Sequence, residues 1–129
     1  MTLLDRFLKY ISVWTTSEEG TGKTPSTDRQ LKLAEILEAE LREIGVPEVC
    51  TETGYVYGHL PASPEFEGKK AVAFISHMDT APDFSGENVK PQIFENYDGC
   101  DVELKGSGEM LTVADFPELK SLKGRTLIT

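Results

Sequence analysis

The chain has 129 residues, a length that fits one domain or part of one. With 13 Lys+Arg against 22 Asp+Glu its net charge is −9, which argues against nucleic acid or an anionic membrane as a partner. Hydrophobic residues make up 39% and charged residues 27%, an ordinary globular composition, and no apolar run approaches the length of a membrane span.

The first element is an amphipathic helix over Leu3–Val13. Leu3, Leu4, Phe7, Leu8 and Ile11 fall on one stripe, and Asp5, Arg6 and Lys9 lie off it. Met1–Arg6 holds no basic stretch followed by an apolar one, so no secretory signal is expected. A polar loop runs from Thr15 to Pro25. The second helix begins at Thr27-Asp28-Arg29-Gln30, which reads as a capping box with Thr27 as N-cap. Leu33, Ile36, Leu37, Leu41 and Ile44 form its expected buried stripe. Gly45 and Pro47 end it.

Val49–Thr53 alternates and predicts a strand. Gly54 turns the chain into a second strand over Tyr55–Leu60, giving a hairpin. After a loop through Lys70, Ala71-Val72-Ala73-Phe74-Ile75-Ser76 is apolar without alternation. That pattern predicts a strand buried on both faces, central to an α/β sheet. Pro82–Gly108 is loop-like, with short strands expected near Gln92–Phe94 and Val102–Leu104. A helix start is expected at Asp115–Leu119, with Phe116 or Asp115 as its cap. Thr126-Leu127-Ile128-Thr129 has strand composition and no following turn, so the polypeptide is expected to be the beginning of a longer protein.

Chemistry concentrates in His77-Met78-Asp79. In extended backbone, residues two apart project to the same side, so His77 and Asp79 can face one site beyond the end of the 71–76 strand. A neutral imidazole is a good zinc ligand, and a carboxylate beside it can orient the ring. The same tripeptide also occurs as a turn or surface feature, and composition and periodicity leave the two readings open. The remaining candidates are weaker. His59 reads as a surface or structural residue. Cys50 and Cys100 lack metal spacing and fit reduced thiols. Asp83 and Glu87 read as solvated loop charges. Gly106-Ser107-Gly108 lacks the Lys-Ser/Thr and helix of a phosphate loop. Ser76 and Ser107 have no evident base, so a serine nucleophile is unsupported.

Ile75-Ser76-His77-Met78-Asp79-Thr80-Ala81-Pro82-Asp83 resembles the first metal motif of the M20 family of di-zinc peptidases. Further stretches agree: Leu4–Tyr10, Pro25-Ser26-Thr27, Leu60-Pro61-Ala62, Ser85–Ile93, Glu95-Asn96-Tyr97 and Thr126–Thr129. Asn88-Val89-Lys90-Pro91-Gln92-Ile93 and Glu95-Asn96-Tyr97 narrow the resemblance to the family's tripeptide aminopeptidases. The resemblance implies that residues 1–129 are the N-terminal part of a three-layer α/β/α catalytic domain with a mixed, largely parallel sheet. The lid or dimerisation domain would be absent.

The resemblance further implies that His77 is a zinc ligand and Asp79 an active-site residue supporting the metal, in a complete site of two zinc ions. Ala81 stands where close relatives are expected to carry serine, outside the metal shell. The family's bridging aspartate, its Glu-Glu pair with the general base, a further aspartate and a distant histidine match nothing in these residues. The implied function is a cytoplasmic zinc aminopeptidase of tripeptides, with the 129-residue chain inactive alone. Another M20-type hydrolase (a dipeptidase or an N-acyl amino acid deacylase) and a non-catalytic fragment or binding module are the alternatives. Small peptides are the expected partners, and neither nucleic acid nor a membrane is.

Overall fold

A computed structural model describes residues 1–129. The chain divides into two compact units, Met1–Asn88 and Val89–Thr129, of mixed α/β character with three two-stranded antiparallel sheets.

In the first unit, α1 spans Leu3–Ile11. Thr2 caps it. Its Oγ1 accepts the Asp5 N–H at 3.1 Å, and the Asp5 carboxylate accepts the Thr2 N–H at 2.8 Å. These bonds hold the Asp5 carboxyl below its ordinary pKa. Of the apolar stripe, Leu4, Leu8 and Ile11 are half-buried and none is fully buried, while Leu3 is 85% exposed. What ties α1 down is Glu40 on α2 (Gln30–Glu43), which accepts from Arg6 Nε and from Lys9 Nζ at 3.4 Å. Burial pushes the Glu40 carboxyl upward. Hydrogen bonding by Arg6, Tyr10 and Lys9 outweighs that and leaves it below its ordinary value.

The predicted capping box at Thr27 does not form. α2 begins three residues later, behind Arg29, with no side-chain cap. The Thr27 hydroxyl donates instead to the carbonyl of Thr16, and the Gln30 amide donates to Ser26 Oγ and Thr27 Oγ1. The Thr27 hydroxyl is thereby engaged with Thr16 and with the Gln30 side chain, and no helix N–H reaches it. Of the expected stripe, Leu33 is buried, Ile36, Leu37 and Leu41 are half-buried, and Ile44 is exposed as the C-cap. Gly45 follows at φ +92, the left-handed residue the sequence calls for at a helix end.

α2 packs on the hairpin of β1 (Glu48–Glu52) and β2 (Tyr55–His59). Glu48 pairs with His59 and Glu52 with Tyr55. The two-residue turn places Thr53 and Gly54 at φ 51 and 81, the left-handed pair whose twist suits a tight hairpin. Arg42 on α2 donates to the Val49 carbonyl at 2.6 Å and to Glu38 at 2.8 Å.

The largest departure from expectation is Ala71–Ser76. It forms no strand, and residues 71–79 take part in no backbone hydrogen bond. Phe74 and Ile75 are 97% and 96% exposed. A strand buried on both faces needs paired neighbours and a layer on each side. The two-stranded sheets of this chain offer neither to this segment.

In the second unit, β3 (Ile93–Phe94) pairs with β6 (Leu127–Ile128), so the chain's last residues do form a strand. Val102–Leu104 (β4) pairs with Glu109–Leu111 (β5), a strand the sequence reading missed. Gly106-Ser107-Gly108 is the turn between them, with the Ser107 and Gly108 N–H groups both on the Leu104 carbonyl. The predicted helix start is a 3₁₀ segment over Pro117–Leu122 with Phe116 at its N-cap. Tyr97, Val102 and Leu119 form the core, flanked by Phe94, Leu111, Val113, Leu122 and Leu127. No helix is long and apolar enough to cross a membrane.

Candidate functional site

His77 and Asp79 lie in an irregular segment rather than at the end of a buried strand. They nevertheless meet: His77 Nδ1 is 3.2 Å from Asp79 Oδ1. A carboxylate only accepts, so in a neutral ring Nδ1 carries the shared proton and the Nε2 lone pair is free. That is the tautomer a metal-binding imidazole with a carboxylate behind it requires. The His77 side chain is 83% exposed and that of Asp79 40%, so Nε2 is open to a ligand.

The donor set stops there. No group of three or more His, Cys, Asp or Glu side chains gathers anywhere in the chain. A catalytic zinc takes about three protein ligands. His77 thus fits a metal as one ligand held by Asp79, and these residues alone do not enclose an ion. His59 is occupied elsewhere, with Nδ1 2.9 Å from Glu48 Oε2 across the hairpin. Cys50 and Cys100 are free and exposed, as are the Asp83 and Glu87 carboxylates in the loop after the motif.

The sequence reading did not single out what surrounds Thr80. Thr80 Oγ1 lies 3.0 Å from Thr16 Oγ1, and its carbonyl accepts the Ser17 N–H at 3.0 Å and the Ser17 hydroxyl at 3.1 Å. Thr16 is buried and also receives the indole N–H of Trp14 at 3.1 Å and the Gly86 N–H at 3.0 Å. The Arg29 guanidinium sits 4.1 Å from the Trp14 ring centroid, and its Nε donates to the Thr16 carbonyl at 2.8 Å. Thr80 and Gly86 are 64 and 70 residues from Thr16 in sequence, so no local pattern announces them.

No family model matches the chain. Individual proteins do. A protein named peptidase T from Desulfitobacterium hafniense strain Y51 is 50% identical over 129 residues, covering 99% of this chain and 31% of the relative. By sequence, the chain is similar to proteins named peptidase T. Peptidase T of Clostridium perfringens strain 13 is 54% identical over 126 residues, covering 97% of the chain and 30% of the relative. Peptidase T of Aliivibrio fischeri is 48% identical over 128 residues, covering 98% and 31%. The chain spans about a third of the length of the curated relatives it matches, in keeping with an N-terminal portion of peptidase T.

Proposed function

We propose that this chain is part of a cytoplasmic, zinc-dependent aminopeptidase that releases the N-terminal residue of tripeptides. The observation that carries this reading is identity of about half the residues along nearly the whole chain to proteins named peptidase T. In the proposal, residues 1–129 contribute the N-terminal part of a three-layer α/β/α catalytic domain. Ala71–Ser76 would then take its place as a central strand, which accounts for its uninterrupted apolar composition.

His77 would hold the metal through Nε2. Asp79 would keep the ring in its Nδ1–H tautomer and restrain its rotation, a contact supported by the 3.2 Å spacing. A divalent metal, when bound, supplies Lewis acidity toward a water and a peptide carbonyl. The exposure of the His77–Asp79 pair leaves room for both a metal and a small substrate to approach. No general base has been identified among these residues, so the 129-residue chain by itself is inactive in this account.

The test is a chimera in which residues 1–129 replace the matching segment of the Desulfitobacterium hafniense relative. It is expected to hydrolyse free tripeptides and to spare N-acylated ones. Hydrolysis of N-acylated amino acids with no action on tripeptides would assign the chain to a different activity.

A further inference from the structure

We infer that Thr16 is a positioning residue for the His77–Asp79 pair, acting through Thr80. The inference rests on the metal-site reading of His77 given above.

The hydrogen-bond directions around Thr16 are determined by its neighbours. The Trp14 indole N–H and the Gly86 backbone N–H can only donate, and both point at Thr16 Oγ1, at 3.1 and 3.0 Å. A hydroxyl oxygen has two lone pairs, and both are now taken. The single Thr16 hydroxyl proton therefore goes to Thr80 Oγ1 at 3.0 Å. The Thr16 carbonyl is equally committed, accepting Arg29 Nε–H at 2.8 Å and the Thr27 hydroxyl at 3.2 Å. One buried threonine thus ties the 14–17 loop to the residues preceding α2 and to the chain on either side of Pro82.

Thr80 is bonded directly to Asp79 and lies three residues from His77. Besides the Thr16 bond, its carbonyl is held twice by Ser17. Upstream of the pair nothing competes, because residues 71–79 make no backbone hydrogen bond. The placement of His77 and Asp79 in this unit is set from the downstream side, at Thr80. Gly86 closes the node: a Cβ there would lie 2.7 Å from Thr16 Oγ1 and 3.0 Å from Thr80 Oγ1. Only a residue without a side chain lets the 86 N–H reach Thr16.

Valine at position 16 keeps the shape and removes the three bonds made by Thr16 Oγ1, to Trp14, Thr80 and Gly86, whereas serine keeps them. The test uses the 129-residue chain and zinc alone as probe, followed at the His77 ring by NMR and by calorimetry. Binding by the unaltered chain is expected to be weak and to disappear in His77→Ala. Thr16→Val is expected to weaken it about 5-fold, less than the roughly 10–100-fold cost of a partner that bonds a metal ligand directly, because Thr16 acts one step further away. Thr16→Ser should stay within about twofold of the unaltered chain on the same grounds. Protection of the β1–β2 hairpin amides should be unchanged, and the Gly86 amide should exchange faster in Thr16→Val only.

Thr80→Val is the second variant. It alters an exposed side chain and is expected to weaken zinc binding in the same direction, so it decides the matter if Thr16→Val does not fold. Unchanged affinity in the folded variants, with His77→Ala abolishing binding, overturns the inference alone. Affinity insensitive to His77→Ala overturns the metal-site reading and the inference together.

Discussion

Removing the Glu40 carboxylate should release α1 from the first unit. Its side chain is only 6% exposed and serves both Arg6 and Lys9, while no residue of α1 is itself buried. A hydrogen bond to a charged group contributes about 1.5–3 kcal/mol when both partners are dry. Here the cationic partners keep 35% and 41% exposure. That brings each pair closer to the roughly 0.2–1 kcal/mol of a surface ion pair. Taken together, Glu40→Ala should cost about 2 kcal/mol, and a unit of this size should then melt about 10 °C lower.

The loss should be local first. Amide exchange across Leu3–Ile11 should accelerate while the hairpin amides stay protected. The same loss should be reachable by acid. The Glu40 carboxyl lies below its ordinary pKa in the folded chain. Its contribution is therefore complete above the ordinary carboxylate range and fades as pH falls through the lower folded value. In Glu40→Ala the acid sensitivity of α1 should shrink to what the Thr2–Asp5 cap contributes. Thermal melting and hydrogen exchange at several pH values measure both effects. A melting shift below about 2 °C (some 0.4 kcal/mol on the same scale), or unchanged exchange in α1, would refute the argument that Glu40 anchors this helix.

Gly86→Ala should disturb the node without touching a charged group. The added Cβ meets Thr16 Oγ1 at 2.7 Å, so the Gly86–Thr16 bond should be lost at a cost of about 1–2 kcal/mol, read from a chemical-denaturation curve. In the second unit, Val102 is 4% exposed at the centre of the core. Val102→Ala removes two buried carbons and should cost about 2 kcal/mol, measured from the unfolding of that unit.

What the sequence made legible were elements whose stabilising contacts are local. The 3.6-residue pattern and Gly45 located α2, and Gly54 located the hairpin to within a residue, with Thr53 falling in the turn rather than in the strand. The Thr2–Asp5 cap is equally local, a Thr and an Asp three residues apart at the start of the apolar stripe. In place of the Thr27 box, the hydroxyl bonds the Thr16 carbonyl and the Gln30 side chain, and the Thr16 contact is one that local spacing cannot reveal. Ala71–Ser76 shows the limit of composition. An apolar run states that burial is favourable and says nothing about whether neighbours exist to bury it. At the site, His77 and Asp79 were legible because their spacing is local and their contact follows from it. The clamp at Thr80 depends on residues 64 and 70 positions from Thr16, so only the folded chain brings it together.

The proposal that His77 holds a metal in a peptidase of tripeptides stands or falls on the metal content of the purified Desulfitobacterium hafniense chimera, with and without His77→Ala. About two zinc ions per active site are expected in the unaltered chimera, the number a two-metal hydrolase holds. Loss of at least one, together with tripeptide hydrolysis, is expected in His77→Ala. Full zinc content and full activity in the His77→Ala chimera would contradict it.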